Sequence, residues 1–503
     1  MNYKELVKVI SQRPICVVST VSGSKIRNRM MHFAVSDNLV FFLSSLKSDP
    51  KVKQIIANEE ISLLVYIPGK EKEFVEDIEI EVTGYARVIN DNVKKEEAIK
   101  LLLNRSPVVA QLYNTPYMEN LLFIEVLPHQ IKYRCVKDIL QGIPPKVYEF
   151  TKDERSSSDF NKLKKKISIW IAETRYPFVS VSMLTALLGG IVAWVRTGSL
   201  KIFDLVLTVV GVVFIHLGSN IANDYFDHKS GNDEANNEFV RPFTGGSRII
   251  QSGLLTPLEV LIGSLIFFFF GASIGIFLTI KYGLPILILG LIGVTSGFFY
   301  SAPIINFSKR GIGELLVGIN FGLLAALGSY YVQAERFSLE VAWLSLLPSI
   351  MVSAILLINE IPDYTADKIT GKNTLIVRFG KSVSYKILTI IVLIGYLLLI
   401  TGIMLKILPP TVILGLISLP FVLKAIEYTK RFYEKPFDMA VGNGLMILSF
   451  NILCFIFINI YLSMLSNKLY LLVSIIISGL YLLWNYNIIS QQREAFIRLK
   501  NII

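Results

Sequence analysis

The chain carries two different patterns of apolar and polar positions. Up to about Lys166, short apolar runs alternate with charged and polar residues, and beyond Tyr176 long apolar segments follow one another, broken by short polar loops. In the first part, residues 14–20, 39–45 and 61–67 are rich in β-branched and aromatic side chains and predict short buried strands. Residues 78–89 alternate well enough for a longer strand with a bulge at Gly84, and 121–133 predict another. Helical spacing falls at 48–58 and 92–105. Several strands with few helices predict a small α+β barrel. In the second part, a helix that crosses a bilayer needs about 20 mainly apolar residues, and about ten segments qualify. They lie near 176–195, 203–222, 258–280, 284–300, 313–332, 341–359, 384–405, 409–425, 441–464 and 468–487. Lys281-Tyr282-Gly283 is so short a break that the third and fourth spans should form a tight hairpin. The expected fold class is multi-domain: an N-terminal β-barrel followed by an all-α polytopic membrane bundle of about ten transmembrane helices.

At 503 residues the chain exceeds one usual domain, and its 52% hydrophobic content averages two unlike parts. The net charge of +11 follows the positive-inside rule and does not call for nucleic acid. With a cytoplasmic N-terminal domain, alternate loops face the cytoplasm. Those loops carry Lys309 and Arg310, then Lys368, Lys372, Arg378 and Lys381, then Lys430, Arg431 and Lys435, and the tail carries Arg493, Arg498 and Lys500. The expected location is a cell membrane, multi-pass, with both the N-terminal domain and the C-terminus cytoplasmic. Cys16, Cys135 and Cys454 show no metal spacing and indicate no disulfide framework. No cleavable signal peptide is read at the N-terminus, so the first span is the expected insertion signal.

Two acidic clusters end hydrophobic stretches. Asn220, Asp224 and Asp227, with Asn223 beside them, close the second span; residues four and seven apart share a helix face. Gly231 should break that helix and let Asp233 fold back toward the same site. Asn359, Asp363 and Asp367 repeat the arrangement at the end of the sixth span, where Pro362 predicts a kink or a break. Charged groups in a membrane cost roughly 2.5–3.5 kcal/mol each at its centre, so acidic sets at span ends point to a bound cation. Oxygen ligands without His or Cys suit Mg²⁺, which bridges carboxylates to substrate phosphates. A diphosphate is the group that two such sets would serve. The alternative is a pair of solvated acidic loops capping helices.

With these motifs, residues 165–465 resemble the UbiA superfamily of intramembrane aromatic prenyltransferases. The intervening Tyr300-Ser301-Ala302-Pro303, leading to Lys309, Arg310, Gly311, Gly313 and Glu314, also fits. Arg241-Pro242-Phe243-Thr244-Gly245-Gly246-Ser247-Arg248 and Gln251-Ser252-Gly253 look most like the dihydroxynaphthoate prenyltransferase branch, and Gly371-Lys372-Asn373-Thr374-Leu375 with Arg378 agrees. The resemblance implies Mg²⁺-dependent transfer of a polyprenyl group from its diphosphate to an aromatic acceptor, a 1,4-dihydroxy-2-naphthoate, in menaquinone biosynthesis. It implies that Asn220, Asp224, Asp227 and Asp233 hold one ion and Asn359, Asp363 and Asp367 another. Lys309, Arg241 and Arg248 would bind diphosphate oxygens, with Lys372 and Arg378 as further candidates. Tyr300 would shield an allylic cation with its ring. Asn220, Asn223 and Asn359 join the substrate-binding set, and Asp224, Asp227, Asp363, Asp367 and Lys309 the catalytic one. His216 is either a base or a satisfied bundle histidine. Family members have nine spans, so 468–487 reads as an addition. Competing readings are another acceptor, such as a hydroxybenzoate or a glycerol phosphate headgroup, a cation-coupled transporter, and a barrel that holds the activity with the spans as anchor.

Residues 5–135 resemble the pyridoxamine-phosphate-oxidase-like, FMN-binding split barrels. The matching features are Arg29-Met30-Met31-His32-Phe33, then Phe41-Phe42-Leu43-Ser44-Ser45-Leu46-Lys47-Ser48, then Lys51-Val52-Lys53-Gln54-Ile55. The resemblance implies that Arg29, Met30, Ser44, Ser45, Ser48 and Lys51 hold the flavin and its phosphate; a barrel that has lost its cofactor is the alternative. The expected domains are 1–145, the barrel; 146–166, a linker; 167–465, the prenyltransferase; and 466–503, an added helix and basic tail. Expected partners are a polyprenyl diphosphate, an aromatic acceptor, the lipid bilayer and a second copy through the barrel, with no nucleic acid.

Overall fold

The computed structural model describes residues 2–22, 25–69, 76–150, 159–236, 238, 246–431 and 438–500. The chain divides into two units, Met1–Trp170 with Ser252–Thr256, and Ile171–Gln251 with Pro257–Ile503.

The first unit is built on seven strands: β1 Ile15–Ser22, β2 Lys25–Val35, β3 Phe41–Leu46, β4 Glu60–Ile67, β5 Ile78–Val88, β6 Leu121–Cys135 and β7 Lys146–Glu149. All ladders are antiparallel in the order β3-β2-β1-β4-β5-β6-β7, and β3 also pairs with β6. That last pairing closes six strands into a barrel, the architecture that the split-barrel resemblance implies, and leaves β7 outside it on β6. Alternation sets which side chains fill the interior: on β4, Ile61, Leu63, Val65 and Ile67 are buried, whereas Tyr66 is 51% exposed. The β5–β6 register shifts between Thr83 and Gly84, where the sequence predicts a bulge. The two helical segments are present at Pro50–Ala57 and Asn92–Leu103, each capped by an aspartate side chain, Asp49 and Asp91. Residues 146–149 differ from expectation: read as the start of a linker, they form β7, with Ile131 opposite Tyr148.

The second unit is helical. Among the described residues, nine helices are long and apolar enough to cross a membrane: α1 Tyr176–Thr197, α2 Ile202–Ser230, α3 Pro257–Tyr282, α5 Gly313–Ala334, α6 Leu339–Thr370, α7 Lys381–Met404, α8 Pro410–Lys430, α9 Asp438–Ser463 and α10 Leu469–Asn487. A shorter apolar helix, α4 Leu284–Phe298, follows α3 across Gly283 in the expected hairpin. The expected count of about ten is met when α4 is included. The core lies on α1, α6 and α9, whose apolar windows are 61%, 67% and 72% buried, whereas α10, at 6%, turns nearly all its surface outward. Small residues let these helices approach closely; a Cβ on Gly189 would lie 2.0 Å from the Ala326 carbonyl oxygen. Within α5, Ile319–Leu324 forms a π-turn, a departure that often marks functional positions.

The expected break at Pro362 is absent. An unbroken helix runs from Leu346 to Thr370 with Pro362 inside it. Proline in a helix costs about 3 kcal/mol or more by removing one hydrogen bond and crowding the previous turn. Here Leu357, Ile358, Ile361 and Pro362 are all buried in the bundle, and that packing holds the helical course. The second acidic cluster therefore lies on one continuous helix.

Gly189→Val should destabilise the bundle by about 1–3 kcal/mol, the usual cost of overpacking, whereas Gly479→Ala, with nothing near its added Cβ, should stay within about 0.5 kcal/mol. Thermal unfolding of the detergent-purified full chain checks this, and equal melting of the two variants would contradict the close α1–α5 contact.

Candidate active site

The C-terminal ends of α2 and α6 face one polar cavity of about 70 Å³. From α2 it receives Asn223 and Asp227, one turn apart, with the Asn223 amide donating to Asp227 Oδ2 at 3.0 Å. Gly231, at φ +76°, ends the helix and turns the chain into a short helical stretch, Asn232–Ala235, which returns Asn232 and Asp233 to the cavity. From α6 it receives Leu356, Asn359, Glu360, Asp363 and Asp367. Lys372 follows the Gly371 cap, and its buried ammonium lies 2.6 Å from Asp227 Oδ1 and 3.9 Å from Asp367 Oδ1. Burial alone would lower the Lys372 pKa, but the charges of Asp227 and Asp367 outweigh it and raise it.

Amides also tie the two clusters together. Asn232 donates to Asp367 Oδ1 at 2.7 Å and to Thr370 at 2.9 Å, and Asn236 donates to Asp363 Oδ1 at 2.6 Å. The Asn359 oxygen accepts from Asn443 of α9. Gln251 donates to Asp233 Oδ2 at 2.9 Å, and burial followed by the Asp227 charge pushes the Asp233 carboxyl up to about 6. On the remaining wall stand Arg175, Gly246, Tyr300, Ser308 and Thr374. Gly313 leaves room for the Tyr300 ring, since a Cβ there would lie 2.9 Å from its Cε2.

Several expected residues stand elsewhere. Asp224 is buried beside the cavity, paired with Arg175 and accepting from Ser247 N at 3.1 Å. Asn220 is one turn further into the bundle and does not line the cavity; its amide nitrogen is buried without a partner. Arg248 is buried and donates to the carbonyls of Asp233 and Asn236, so it pins the returning loop. Lys309 is partly buried on the turn Phe307–Arg310, outside the cavity lining. Arg378 donates to the carbonyls of Arg310 and Asn373. His216 is buried, bonded to Ser182 Oγ at 2.9 Å and stacked on Phe321, as a satisfied bundle histidine is. Arg241 lies outside the described residues.

Sequence reasoning missed Glu173, Arg175, Asn232, Asn236, Glu360 and Asn443. Glu360 was legible, being three and seven residues before Asp363 and Asp367. Arg175 stands at the entry to the first span, where a basic residue reads as an ordinary flanking charge.

A second, apolar cavity of about 350 Å³ opens between α2, α3, α4 and α5, lined by Thr208, Val212, Ile215, Gly275, Gly290 and Phe321 among others. Thr208, Val212, Ile215, Ser219, Asn223 and Asp227 step along α2 by four or three residues and so share one face. One helix face thus runs from the apolar cavity to the polar one.

The model of the UbiA prenyltransferase family matches residues 182–440, just over half of the chain. The chain belongs to this family. It is a prenyltransferase, with the several long apolar helices of a multi-pass membrane protein. It is 26% identical over 270 residues to the 2-carboxy-1,4-naphthoquinone phytyltransferase of Synechocystis, covering 53% of this chain and 84% of that protein. It is 27% identical over 225 residues to the 1,4-dihydroxy-2-naphthoate octaprenyltransferase of Haemophilus influenzae, covering 43% and 71%. The barrel is similar to General Stress Protein 26 of Bacillus anthracis, 22% identical, covering 30% of this chain and all of that one at a TM-score of 0.23. A score at this level carries no argument, and the barrel's closure rests on its own β3–β6 pairing.

For Mg²⁺, the donor chemistry of the polar cavity fits: Asp227, Asp233, Asp363, Asp367, Asn223 and Asn359 offer oxygens, and Asn223 Oδ1 is buried without a partner. Among the described residues no three His, Cys, Asp or Glu side chains already stand in a metal-enclosing group; amides and Lys372 hold the carboxylates. The flavin set does not fit as it stands. Arg29 donates to Thr20 at 2.7 Å and Gln54 at 2.8 Å, and Lys51 pairs with Asp49 at 2.5 Å. Burial pushes the Asp49 carboxyl up, but Lys51 and Arg29 outweigh it and hold it below its ordinary value, so both cations already serve a carboxylate. Met30 is 74% exposed, Ser44 half-buried, Ser48 exposed, and Ser45 buried with its hydroxyl on the Leu46 carbonyl.

Glu173, ahead of α1, is fully buried; its Oε2 accepts from Ser247 at 2.5 Å and its Oε1 has no partner. Burial pushes its carboxyl up from 4.5 to about 7, against the Ser247 hydrogen bond and the Arg175 charge. A carboxyl with a raised folded-state value contributes stability fully below its unfolded value and loses it as pH rises through the folded value. The melting temperature of the metal-free chain should therefore fall between about pH 5 and pH 8, and Glu173→Gln should flatten that fall. Identical pH slopes for both proteins would contradict the buried protonated acid.

Proposed function

We propose that this prenyltransferase moves a polyprenyl group from its diphosphate to a 1,4-dihydroxy-2-naphthoate-like ring, as in menaquinone biosynthesis, with Mg²⁺ as its ion. The observation that carries the reading is the meeting of Asp227, Asp363 and Asp367 around Lys372 in one cavity. Hard oxygen donors from two helices with a cation between them suit a diphosphate flanked by metal ions. The relatives whose names specify naphthoate-type rings support the choice of acceptor.

Asp227, with Asn223 and Asp233, would hold one ion, and Asp363 and Asp367, with Asn359, the other; Asn220 and Asp224 support the first from behind. When bound, Mg²⁺ would neutralise diphosphate charge as a Lewis acid. Lys372 and Arg175 would give charge-assisted hydrogen bonds to its oxygens, and those bonds strengthen as the leaving group gains charge. The isoprenoid tail would lie along the α2 face through Ile215, Val212 and Thr208, in the apolar cavity. The Tyr300 ring, at the cavity wall, would face the allyl group and stabilise positive charge on it. The allylic C–O bond breaks as the ring carbon bonds to the allyl carbon. The ring regains aromaticity by losing the proton or carboxyl group held there. Lys309, outside the cavity lining, would contribute at most from the rim.

The same reading puts both acidic clusters, the N-terminal unit and the C-terminus on the cytoplasmic side, in keeping with the basic loops. It assigns catalysis to 167–465 and leaves α10 as an addition. No flavin step is part of it.

Purified chain with Mg²⁺, a polyprenyl diphosphate and a dihydroxynaphthoate should release diphosphate, and Asp227→Ala or Asp363→Ala should lower kcat by about 10²-fold or more, the scale of losing one preorganised charge contact. Full transfer by either variant would sink the two-cluster mechanism. Replacing Gly275 or Gly290 with Leu should raise KM for long-chain donors more than for short ones; equal effects would remove the tail from the apolar cavity.

A further inference from the structure

The polar cavity has two unlike ends. Asp227, Asp363, Asp367 and Lys372 form one, and the proposed diphosphate chemistry uses it fully. Leu356 and Glu360, earlier on α6 than Asp363, lie toward the other, and Tyr300 also lines the cavity. On α6 the cavity-facing residues step from Leu356 to Glu360, Asp363 and Asp367, at spacings of four, three and four, so Glu360 shares the aspartates' face one turn deeper.

Glu360 is 6% exposed, and its Oε2 is buried without a hydrogen-bond partner. The neighbouring Glu314 carboxyl is 2% exposed, and its Oε1 accepts from Leu375 N at 2.7 Å. Among the described residues no Lys, Arg or His forms an ion pair with either carboxyl. Lys372, the buried cation of this cavity, is engaged by Asp227 and Asp367 instead. A buried acceptor without a donor is costly, and a ligand that brings the donor recovers that cost.

We propose that Glu360 recognises the aromatic acceptor by accepting a hydrogen bond from one of its ring hydroxyls. The ring would lie against the faces of Tyr300 and Leu356, between Glu360 and the allyl end of the donor. A hydroxyl is the group that fits. A carboxylate or phosphate belongs at the Lys372 end, beside a buried ammonium, and an apolar ring edge would leave the buried oxygen unpaired. A hydrogen bond to a carboxyl also pushes electron density from the hydroxyl into the ring, which favours attack by the ring carbon. The proposal rests on the prenyl-transfer reading of the same cavity and adds which group on the acceptor is read and by what.

The test uses the full chain in lipid nanodiscs with Mg²⁺, one polyprenyl diphosphate, a dihydroxynaphthoate and each of its two mono-O-methyl ethers. Sites built to bond a substrate hydroxyl reject analogues that lack it by large factors, up to about 10⁴-fold. The wild-type chain should lose at least about 10²-fold in kcat/KM with one of the two ethers. In Glu360→Leu that ether and the free acceptor should become nearly equal, with KM raised for the free acceptor and unchanged for the polyprenyl diphosphate. Glu360→Gln, which keeps the size and one oxygen, should fall between, so the proposal stays testable if the leucine variant fails to fold. Retention of the full wild-type preference in Glu360→Gln and Glu360→Leu, or a donor KM that rises in step with the acceptor KM, would overturn the assignment. A wild-type chain that prenylates none of the three acceptors would overturn the prenyl-transfer reading itself, a result distinct from an unchanged hydroxyl preference.

Discussion

The Lys372 ammonium, within 4 Å of carboxylates from two different helices, is the contact on which the rest of the site depends. Buried ions survive only when paired and hydrogen-bonded, and removing one partner of such a set commonly costs about 3–5 kcal/mol. Asp227 on α2 and Asp367 on α6 would repel each other at this distance without it. With it, and with Asn232 and Asn236 reaching across from the loop after α2, the ends of two helices distant in sequence become one wall of one cavity. The same contact explains why the short turn after Gly371 belongs to the site, although it lies beyond the span.

Around this charged centre the bundle is arranged as an amphiphilic receptacle. The face of α2 changes from Asp227 and Asn223 to Ile215, Val212 and Thr208 without leaving one side of the helix, so a molecule with a polar head and an apolar tail meets matching surfaces along one path. The most buried helices, α1, α6 and α9, give the rigid core, and Asn443 of α9 reaches from that core to Asn359. The π-turn of α5 places Asn320 and Phe321 on the apolar cavity, where a regular helix would shift every following residue. The barrel is closed by its own strand pairing and needs nothing from this chemistry.

Much of this was legible in the sequence, for physical reasons that differ from residue to residue. Apolar length alone marks the spans, because a bilayer demands it, and the four-residue spacing of Asp363 and Asp367 gives a shared face. Of the kink or break expected at Pro362, the break is absent, because packing in the bundle offsets the local cost of the proline. Segment 146–149 misled because a four-residue edge strand has no periodicity of its own and takes its conformation from β6. Lys372 was a diphosphate-binding candidate that could equally have been a topology charge, and the fold shows it buried between aspartates. Arg175 and Asn443 were invisible because their roles depend on contacts with residues far away in the chain. Arg29 and Lys51 matched a phosphate-binding pattern, but Asp49, two residues from Lys51, already pairs with that lysine.

The central claim is that the two acidic helix ends serve one diphosphate whose prenyl group goes to an aromatic ring. Mass spectrometry of the lipid products formed by the wild-type chain, Mg²⁺ and one polyprenyl diphosphate, with naphthoate, benzoate and glycerol phosphate acceptors in competition, tests it most directly. The account predicts a single family of products, a naphthalene-derived ring carrying the intact prenyl chain through a carbon–carbon bond. Prenyl ethers of glycerol phosphate, or free polyprenol alone, would contradict it.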